Sequence, residues 1–319
     1  MNISSEIAKS EKKIEFRISL FTFHFSLFAF NIRMLTTMKL HVINTGNLKL
    51  DGGAMFGVVP KVMWSKLYPC DENNLCNWSM RCLLVEEGMH KILIDCGIGN
   101  KQSEKFFSNY YLNGDDSLEK SLAAIGMTAD DITDVILTHL HFDHCGGAVK
   151  WNADHTGYSL SFPNAVFHTG RTQWDWANDP NNREKASFLK ENFSLIKEAG
   201  RLNLVEDKAE LFSGLSVRIF NGHTEGQVIP VIRYHNKTFV YMADLLPSAA
   251  HVPLPYVMAY DTRPLITLEE KEIFMKEAAE KGYILFLEHD IIHECCTVHE
   301  TEKGVRLKEA FPLASYERK

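Results

Sequence analysis

The chain has 319 residues, of which 45% are hydrophobic and 24% are charged, and its formal net charge is −7. This composition is that of an ordinary globular protein that can bury a core. The negative charge disfavours nucleic acid as a partner, because proteins that bind phosphate backbones need a basic face.

Residues 1–37 differ in character from the rest of the chain. Four basic residues precede an apolar run, Ile18 to Ile32, in a layout that imitates a signal peptide. Polar residues interrupt that run, no A-x-A-like cleavage site follows it, and it is too short to span a bilayer comfortably. We therefore interpret residues 1–37 as an N-terminal extension, with a signal-like leader or an ordered extension left open. Residues 38–319 are predicted to form the folded domain.

Cysteine usage bears on the compartment. The chain has seven cysteines, and two of them, Cys295 and Cys296, are adjacent, which does not fit a disulfide framework. Reduced thiols favour a cytoplasmic protein, although secretion stays open if residues 1–37 are a signal peptide. No membrane partner is expected. The sequence leaves the oligomeric state open, a homodimer included.

The folded domain is predicted to begin with strands. Alternating apolar residues from Leu40 to Leu50 indicate two strands that are separated by a turn at residues 44–47. The glycine-containing stretch at residues 50–64 is predicted to be a loop that packs on another part of the protein. Two strands around residues 86–88 then form a predicted hairpin, whose second strand ends near Asp95.

The densest cluster of metal-binding side chains follows a short apolar strand. His139, His141, Asp143 and His144 lie within six positions. Alternate residues of a straight strand share a face, so His144 can join the others only where the chain bends, and the glycine pair after the cluster permits that bend. Imidazoles and carboxylates are common zinc ligands, so the cluster predicts a metal site at a strand end.

The pattern His139-x-His141-x-Asp143-His144 resembles the signature of the metallo-β-lactamase-fold hydrolases. The resemblance implies an α/β fold, an αββα four-layer sandwich with a two-metal site at one edge. It also implies that the remaining ligands follow later strands. Three residues fit, each directly after an apolar run, and these are His223, Asp244 and His289.

This resemblance implies a dinuclear metal-dependent hydrolase. The implied ligands are His139, His141 and His223 for one metal, Asp143, His144 and His289 for the other, and Asp244 as the bridge between them. The histidine-rich set favours two zinc ions, and manganese, iron or cobalt also fits. A hydroxide shared by two metals would attack the substrate, with Asp143 and Asp244 as catalytic residues and Asp143 helping to move a proton to the leaving oxygen.

Residues 50–64 narrow the resemblance to one branch of the superfamily. This stretch resembles the corresponding loop of the quorum-quenching N-acyl homoserine lactonases. The implied substrate is a small molecule with an apolar portion, namely a lactone with an acyl chain. By this resemblance, Met55, Phe56 and Trp64 help to wall the substrate pocket.

Two positions need a separate interpretation. Family members carry an aspartate where this chain has Asp95, and there it orients a ligand histidine through its other ring nitrogen. A turn aspartate before glycine is an equally good interpretation of Asp95. Some lactonases also carry a tyrosine three residues after the bridging aspartate, where this chain has Pro247. The candidates to replace that tyrosine are Tyr241, Tyr256 and Tyr260.

Two alternative functions stay open. A phosphotriester or aryl ester hydrolase uses the same kind of two-metal site. A protein of a different class, which retains metal for binding or regulation with little turnover, is less consistent with a complete set of ligands.

Overall fold

The computed structural model describes residues 38–317. Within them the chain forms fifteen strands, which in chain order are β1 (Lys39–Asp51), β2 (Leu75–Glu87), β3 (His90–Ile94), β4 (Asp134–Ile136), β5 (Val149–Trp151), β6 (Tyr158–Leu160), β7 (Val166–Gly170), β8 (Leu202–Val205), β9 (Glu210–Phe212), β10 (Leu215–Phe220), β11 (Gln227–Tyr234), β12 (Lys237–Tyr241), β13 (Ile284–Phe286), β14 (Cys295–Thr301) and β15 (Gly304–Phe311). The α-helices of the same residues are α1 (Gly52–Phe56), α2 (Lys61–Trp64), α3 (Glu104–Ser108), α4 (Leu118–Ala124), α5 (Phe142–Cys145), α6 (Arg171–Asn178), α7 (Ser194–Glu198), α8 (Pro264–Lys281) and α9 (Leu313–Glu317).

The N-terminal extension predicted at residues 1–37 lies outside the described residues. Contacts group Lys39–Lys319 into one compact unit. Among the helices between residues 38 and 317, none combines the length and the apolar composition that a membrane crossing requires.

Two mixed sheets carry the fold. The first sheet has six strands in the order β1-β2-β3-β4-β7-β8, and the second has seven in the order β15-β14-β13-β12-β11-β10-β9. Strands β3, β4, β7 and β8 run parallel to one another. In the second sheet only the β12–β13 pair is parallel among the described strand pairs. The short strands β5 and β6 form a separate hairpin.

Strand β2 shows how the first sheet is covered on both faces. Its central residues are all buried, although successive side chains of a strand point to opposite faces. Cys82 and Leu84 belong to the apolar cluster beneath the helices of the first sheet. Arg81, between them, points the other way and donates to the carbonyl oxygen of Leu287 at 2.8 Å, just after β13 of the second sheet. The two sheets therefore lie face to face.

Helices cover the outer face of each sheet. Leu122 of α4, Trp174 of α6 and Ile196 of α7 are buried in the same cluster as Leu84 of the first sheet. On the second sheet, Phe274 of α8 packs edge-on against Phe220, with ring centroids 5.9 Å apart. The layers are helix, sheet, sheet, helix, so the predicted αββα sandwich is confirmed.

The prediction of a turn at residues 44–47 is wrong. Strand β1 continues through this region and pairs with β2 on both sides of a β-bulge between Asn44 and Asn47. Gly46, with φ 106°, supplies the backbone conformation that the bulge needs. Pairing with a long neighbouring strand thus outweighs the local preference of Asn and Gly for a turn. The predicted loop at residues 50–64 also contains two short helices, α1 and α2.

Candidate metal centre

All seven predicted ligand side chains converge on one edge of the sandwich. The four that follow β4 lie in and around α5, and the other three follow β10, β12 and β13 of the second sheet. Two sets of side chains have their ligand atoms within 4.8 Å of one another, and these are His139, His141, His223 and Asp244 in one set and Asp143, His144 and His289 in the other. The histidines and Asp143 fall into the two groups predicted from the sequence, and Asp244, predicted as the bridge, lies with the first group.

The first set surrounds one oxygen of Asp244. Its Oδ2 lies 3.0 Å from Nε2 of His223 and 3.7 Å from Nε2 of His139. Nδ1 of His141 lies 3.2 Å from Nε2 of His223. The ring nitrogens and the carboxylate therefore point into a common space.

The second set meets the first through the same carboxylate. The other oxygen of Asp244, Oδ1, lies 3.0 Å from Nε2 of His289. Nε2 of His289 faces Nε2 of His144 at 3.2 Å, and Oδ2 of Asp143 lies 3.8 Å from Nε2 of His144. Asp244 thus stands between the two sets.

The backbone around the ligands explains how neighbouring side chains reach one point. His141 is the residue before α5, and this one-turn helix carries Asp143 and His144 inward. The bend packs the following glycines so closely that a Cβ atom on Gly146 would lie 2.1 Å from the carbonyl oxygen of Ile98. Only glycine fits there. Before Asp244, Ala243 has φ 39°, a strained conformation for a residue with a side chain, as is common at functional sites.

Each ligand ring is fixed through its other nitrogen, as metal-binding histidines usually are. The five contacts are His139 Nδ1 with Thr138 Oγ1 at 3.1 Å, His141 Nε2 with Glu184 Oε1 at 3.0 Å, His144 Nδ1 with Asp95 Oδ2 at 3.1 Å, His223 Nδ1 with Asp261 Oδ1 at 2.8 Å, and His289 Nδ1 with the carbonyl oxygen of Ser79 at 2.7 Å. The rings are therefore oriented without any contribution from the cluster itself.

Both interpretations of Asp95 apply at once. Its φ of 57° is a turn conformation, and its carboxylate accepts hydrogen bonds from the backbone and hydroxyl of Thr138 and from His144. Sequence reasoning missed Glu184 and Asp261, because their partners lie 43 and 38 positions away along the chain. No local pattern marks either residue.

The donor set fits a cation. When Nδ1 of His223 donates to Asp261 and Nε2 of His141 donates to Glu184, the other nitrogen of each ring is available to bind a cation. Nε2 of His223 and Nδ1 of His141 lie 3.2 Å apart, so one cation can reach both nitrogens. Nε2 of buried His139 has no hydrogen-bond partner among the described residues.

The charges of the cluster favour an ionised Asp244. Burial raises the pKa of this carboxyl, but the imidazoles of His223, His289 and His144 outweigh burial and hold the pKa well below its usual range. Burial also lowers the pKa of His139 far below its usual value, so its ring is neutral and can bind metal.

A cavity of about 280 Å³ opens onto the cluster. Its apolar and aromatic wall comes from separate segments of the chain, and these residues are Leu50, Met55, Tyr110, Phe142, Met258 and Tyr260. Its polar wall includes Arg183, Ser187 and Thr262 beside the candidate ligands. Arg183 donates to the carbonyl oxygen of Ala259, which links two of the segments.

Of the three residues proposed for the substrate pocket, one lines the cavity and two do not. Met55 lies on the cavity wall, whereas Phe56 and Trp64 do not reach it. Phe56 is stacked between Trp64, at a centroid distance of 5.0 Å, and His251, at 4.5 Å. Phe56 and Trp64 therefore support the wall from behind.

Of the three candidate tyrosines, only Tyr260 faces the cavity. The hydroxyl of Tyr241 is buried and donates to the carbonyl oxygen of Arg81 at 3.0 Å. Tyr256 packs against Phe56 and does not reach the cavity wall. Burial, followed by the effects of Tyr110 and Asp143, raises the pKa of Tyr260 to about 12, so its hydroxyl stays protonated and can donate. Tyr110, which sequence reasoning missed, lines the same cavity.

Comparisons with known proteins agree with this geometry. The family model described as the metallo-β-lactamase superfamily matches residues 81–289. An N-acyl homoserine lactonase from Bacillus cereus is 24% identical over 287 residues, which cover 86% of this chain and 98% of that protein.

Solved structures show the same fold. A probable metal-dependent hydrolase from Staphylococcus aureus superposes with a TM-score of 0.79 at 31% identity, covering 86% of this chain and 96% of that one. AidC, a dizinc quorum-quenching lactonase in complex with a product, gives a TM-score of 0.71 at 22% identity, covering 86% and 95%. The fold and the resemblance predicted from the sequence are thereby confirmed. The chain belongs to the metallo-β-lactamase superfamily and is a metal-dependent hydrolase.

Proposed function

We propose that this protein is a dinuclear hydrolase that opens the ring of N-acyl homoserine lactones. The observation that carries the proposal is the convergence of two ligand sets on Asp244, next to a cavity with an apolar wall. This chain aligns with relatives named N-acyl homoserine lactonases over nearly the whole length of those relatives. The alignment supports the same substrate class.

The donor atoms suit two divalent cations. His139, His141 and His223 would hold one cation, and Asp244 would reach both. The second would be held by the remaining set, which is Asp143, His144 and His289. The histidine-rich donors favour zinc, with manganese, iron or cobalt as other cations that fit. Such cations, when bound, would lower the pKa of a coordinated water and polarise the bond that is cut.

The residues of the chain have distinct tasks around that reaction. Asp143 lines the cavity, so its carboxylate can accept a proton and return it to the leaving oxygen. The hydroxyl of Tyr260 can donate a hydrogen bond to a substrate carbonyl. Met55 and Met258 offer flexible apolar surface to an acyl chain.

The test is proton release by purified, zinc- or manganese-loaded protein that is offered acyl homoserine lactones of different chain lengths. We expect turnover, and a loss of at least about 100-fold in Asp244→Asn, because partners that contact metal ligands only indirectly are already worth 10–100-fold. Asp116→Asn, an exposed carboxylate, is the matched control. No turnover of any lactone by protein with two bound metals would exclude the lactonase.

Phosphotriesters and aryl esters are the second candidate substrates. Pro247 stands where some lactonases have a tyrosine, and Tyr241 and Tyr256 do not face the cavity. A two-metal site of this kind can also serve the hydrolysis of phosphotriesters and aryl esters. Turnover of these substrates without lactone turnover would favour this alternative.

A further inference from the structure

Glu288 is a fully buried carboxylate whose position needs an explanation. It directly precedes the candidate ligand His289, and its exposed fraction is 0%. Its Oε2 lies 3.1 Å from Nδ1 of His144, a second candidate ligand. The hydroxyl of Tyr241 is a second polar neighbour of this carboxylate. A buried carboxylate is costly to ionise, so one that lies against a candidate ligand is rarely retained without a function.

A second carboxylate shares the same imidazole nitrogen. Asp95 Oδ2 also lies 3.1 Å from Nδ1 of His144, and this contact has hydrogen-bond geometry. Asp95 is well satisfied, because it accepts from the backbone nitrogen of Thr138 at 2.8 Å and from its hydroxyl at 2.7 Å. One ring N–H thus faces two buried carboxylates. Asp95 orients the ring, and Glu288 adds a charge that orientation alone does not need.

No basic side chain neutralises this pair within residues 38–317. His144 is the only residue there that forms an ion pair with Asp95 or Glu288. Arg81, whose chain segment pairs with Glu288, directs Nη1 to three backbone carbonyls, the nearest being that of Leu287 at 2.8 Å. The positive charge that balances the pair can come from the His144 ring itself or from a cation on the opposite side of that ring.

The opposite side of His144 is the metal-binding side. Its Nε2 faces Nε2 of His289 at 3.2 Å and Oδ2 of Asp143 at 3.8 Å. A carboxylate behind an imidazole makes the ring a stronger ligand and attracts a cation in front of it. Glu288 lies behind the ring and does not line the cavity, so it acts on the metal and not on the substrate.

We infer that Glu288 is a positioning residue that tightens the binding of one metal, the cation held by Asp143, His144 and His289, by placing a second negative charge behind His144. This inference rests on the metal centre of the proposed function and does not depend on the lactone substrate.

The test measures metal affinity in the absence of any substrate. Metal-free protein is titrated with Zn²⁺ in competition with a chromophoric chelator, which gives the number of bound ions and both dissociation constants. We expect Glu288→Gln to weaken one of the two sites by about 10–100-fold and the other by less than about threefold. The double variant Glu288→Gln with Asp95→Asn is expected to lose the zinc ion at the site that Glu288→Gln weakens. Glu300→Gln, an exposed glutamate of β14, is the matched control and should match the wild type.

Glu288→Asp keeps the charge but shortens the side chain, and it covers the case in which Glu288→Gln does not fold. We expect it to fold and to weaken the same single site by about threefold to tenfold, which is less than the effect of Glu288→Gln. Affinities that are unchanged at both sites, or weakened equally at both, would overturn the inference. A wild-type protein that binds fewer than two zinc ions would overturn the dinuclear function and this inference with it. Failure to hydrolyse lactones would overturn only the substrate.

Discussion

The ligand cluster and the cavity wall are built in different ways. Each candidate ligand lies a few residues after the end of a sheet strand, and each histidine ring is held by a second partner. The wall is assembled from loops and short helices, with Met55, Tyr110 and Tyr260 coming from three separate segments. A sheet edge fixes atoms for chemistry, while loops that pack on one another shape the pocket and can vary without disturbing it.

The wall nevertheless has supports of its own. His251 donates to the carbonyl oxygen of Met55 at 2.9 Å and stacks on Phe56. Lys271 of α8 is buried and donates to the carbonyl oxygens of Pro253 and Tyr256, at 3.2 and 2.9 Å. Both supports bind backbone atoms, so they fix the course of the loops and leave the choice of wall side chains free.

The largest effect is expected from substitution of Phe56, which supports the cavity wall, in comparison with Met55, which forms part of it. Phe56→Ala removes a buried ring from a stack, and we expect it to lower the free energy of unfolding by about 3–5 kcal/mol. Met55→Leu conserves volume and should cost less than about 1.5 kcal/mol, while changing the preferred acyl chain length. Denaturant unfolding and turnover of a series of lactones measure the two effects. A change of chain-length preference in Phe56→Ala without loss of stability would contradict this division.

Asp261→Asn tests the claim that partners of the ligand rings are part of the metal centre. The substitution removes the charge that holds Nδ1 of His223, and we expect metal affinity to fall by about 10–100-fold. Chelator competition measures the affinity, and the exposed Asp207→Asn is the control. A metal affinity that changes less than twofold would show that the backbone at the end of β10 is enough to orient His223.

Tyr260→Phe tests whether the wall takes part in catalysis. Removal of one hydrogen bond to a substrate carbonyl should lower kcat/KM about tenfold, which corresponds to about 1.4 kcal/mol. Tyr158→Phe, which changes an exposed tyrosine of β6, is the control and should leave turnover unchanged. Equal kinetics of Tyr260→Phe and the wild type would leave Tyr260 with a packing role only.

The smallest expected effect concerns the support at Lys271. Burial lowers its pKa from 10.5 to about 7, although Asp261 opposes this shift. Above pH 7 the unfolded chain binds more protons at this residue than the folded protein does. The free energy of unfolding of the wild type should therefore rise with pH, relative to that of Lys271→Met. We expect a gain of about 1 kcal/mol between pH 7 and pH 8, measured by denaturant unfolding of both proteins. A constant difference across this range would show that Lys271 keeps its usual pKa.

The seven candidate ligands could be proposed from the sequence because four of them follow one strand, β4, and the other three each follow a strand of the second sheet. The αββα architecture and the convergence of the seven side chains could therefore be anticipated from short patterns and a family resemblance. Contacts between distant segments could not be anticipated, and Glu184, Asp261 and the packing of Glu288 behind His144 belong to this group. Phe56 was predicted to line the pocket for the same reason. Its stacking on Trp64 and His251, which removes it from the cavity wall, is a contact that the local sequence does not show. The wrong turn at residues 44–47 likewise arose from a long-range effect, the pairing with β2.

The candidate ligands come from both sheets, and this has a mechanical consequence. His144 follows a strand of the first sheet and His289 follows a strand of the second, and the two lie 145 positions apart along the chain. A cation shared by such segments is a removable cross-link that closes a long loop of the unfolded chain, in the way that a disulfide does. Resistance of the fold to proteases and to heat should therefore follow the supply of metal, so that the same ions that serve the reaction also govern the lifetime of the protein.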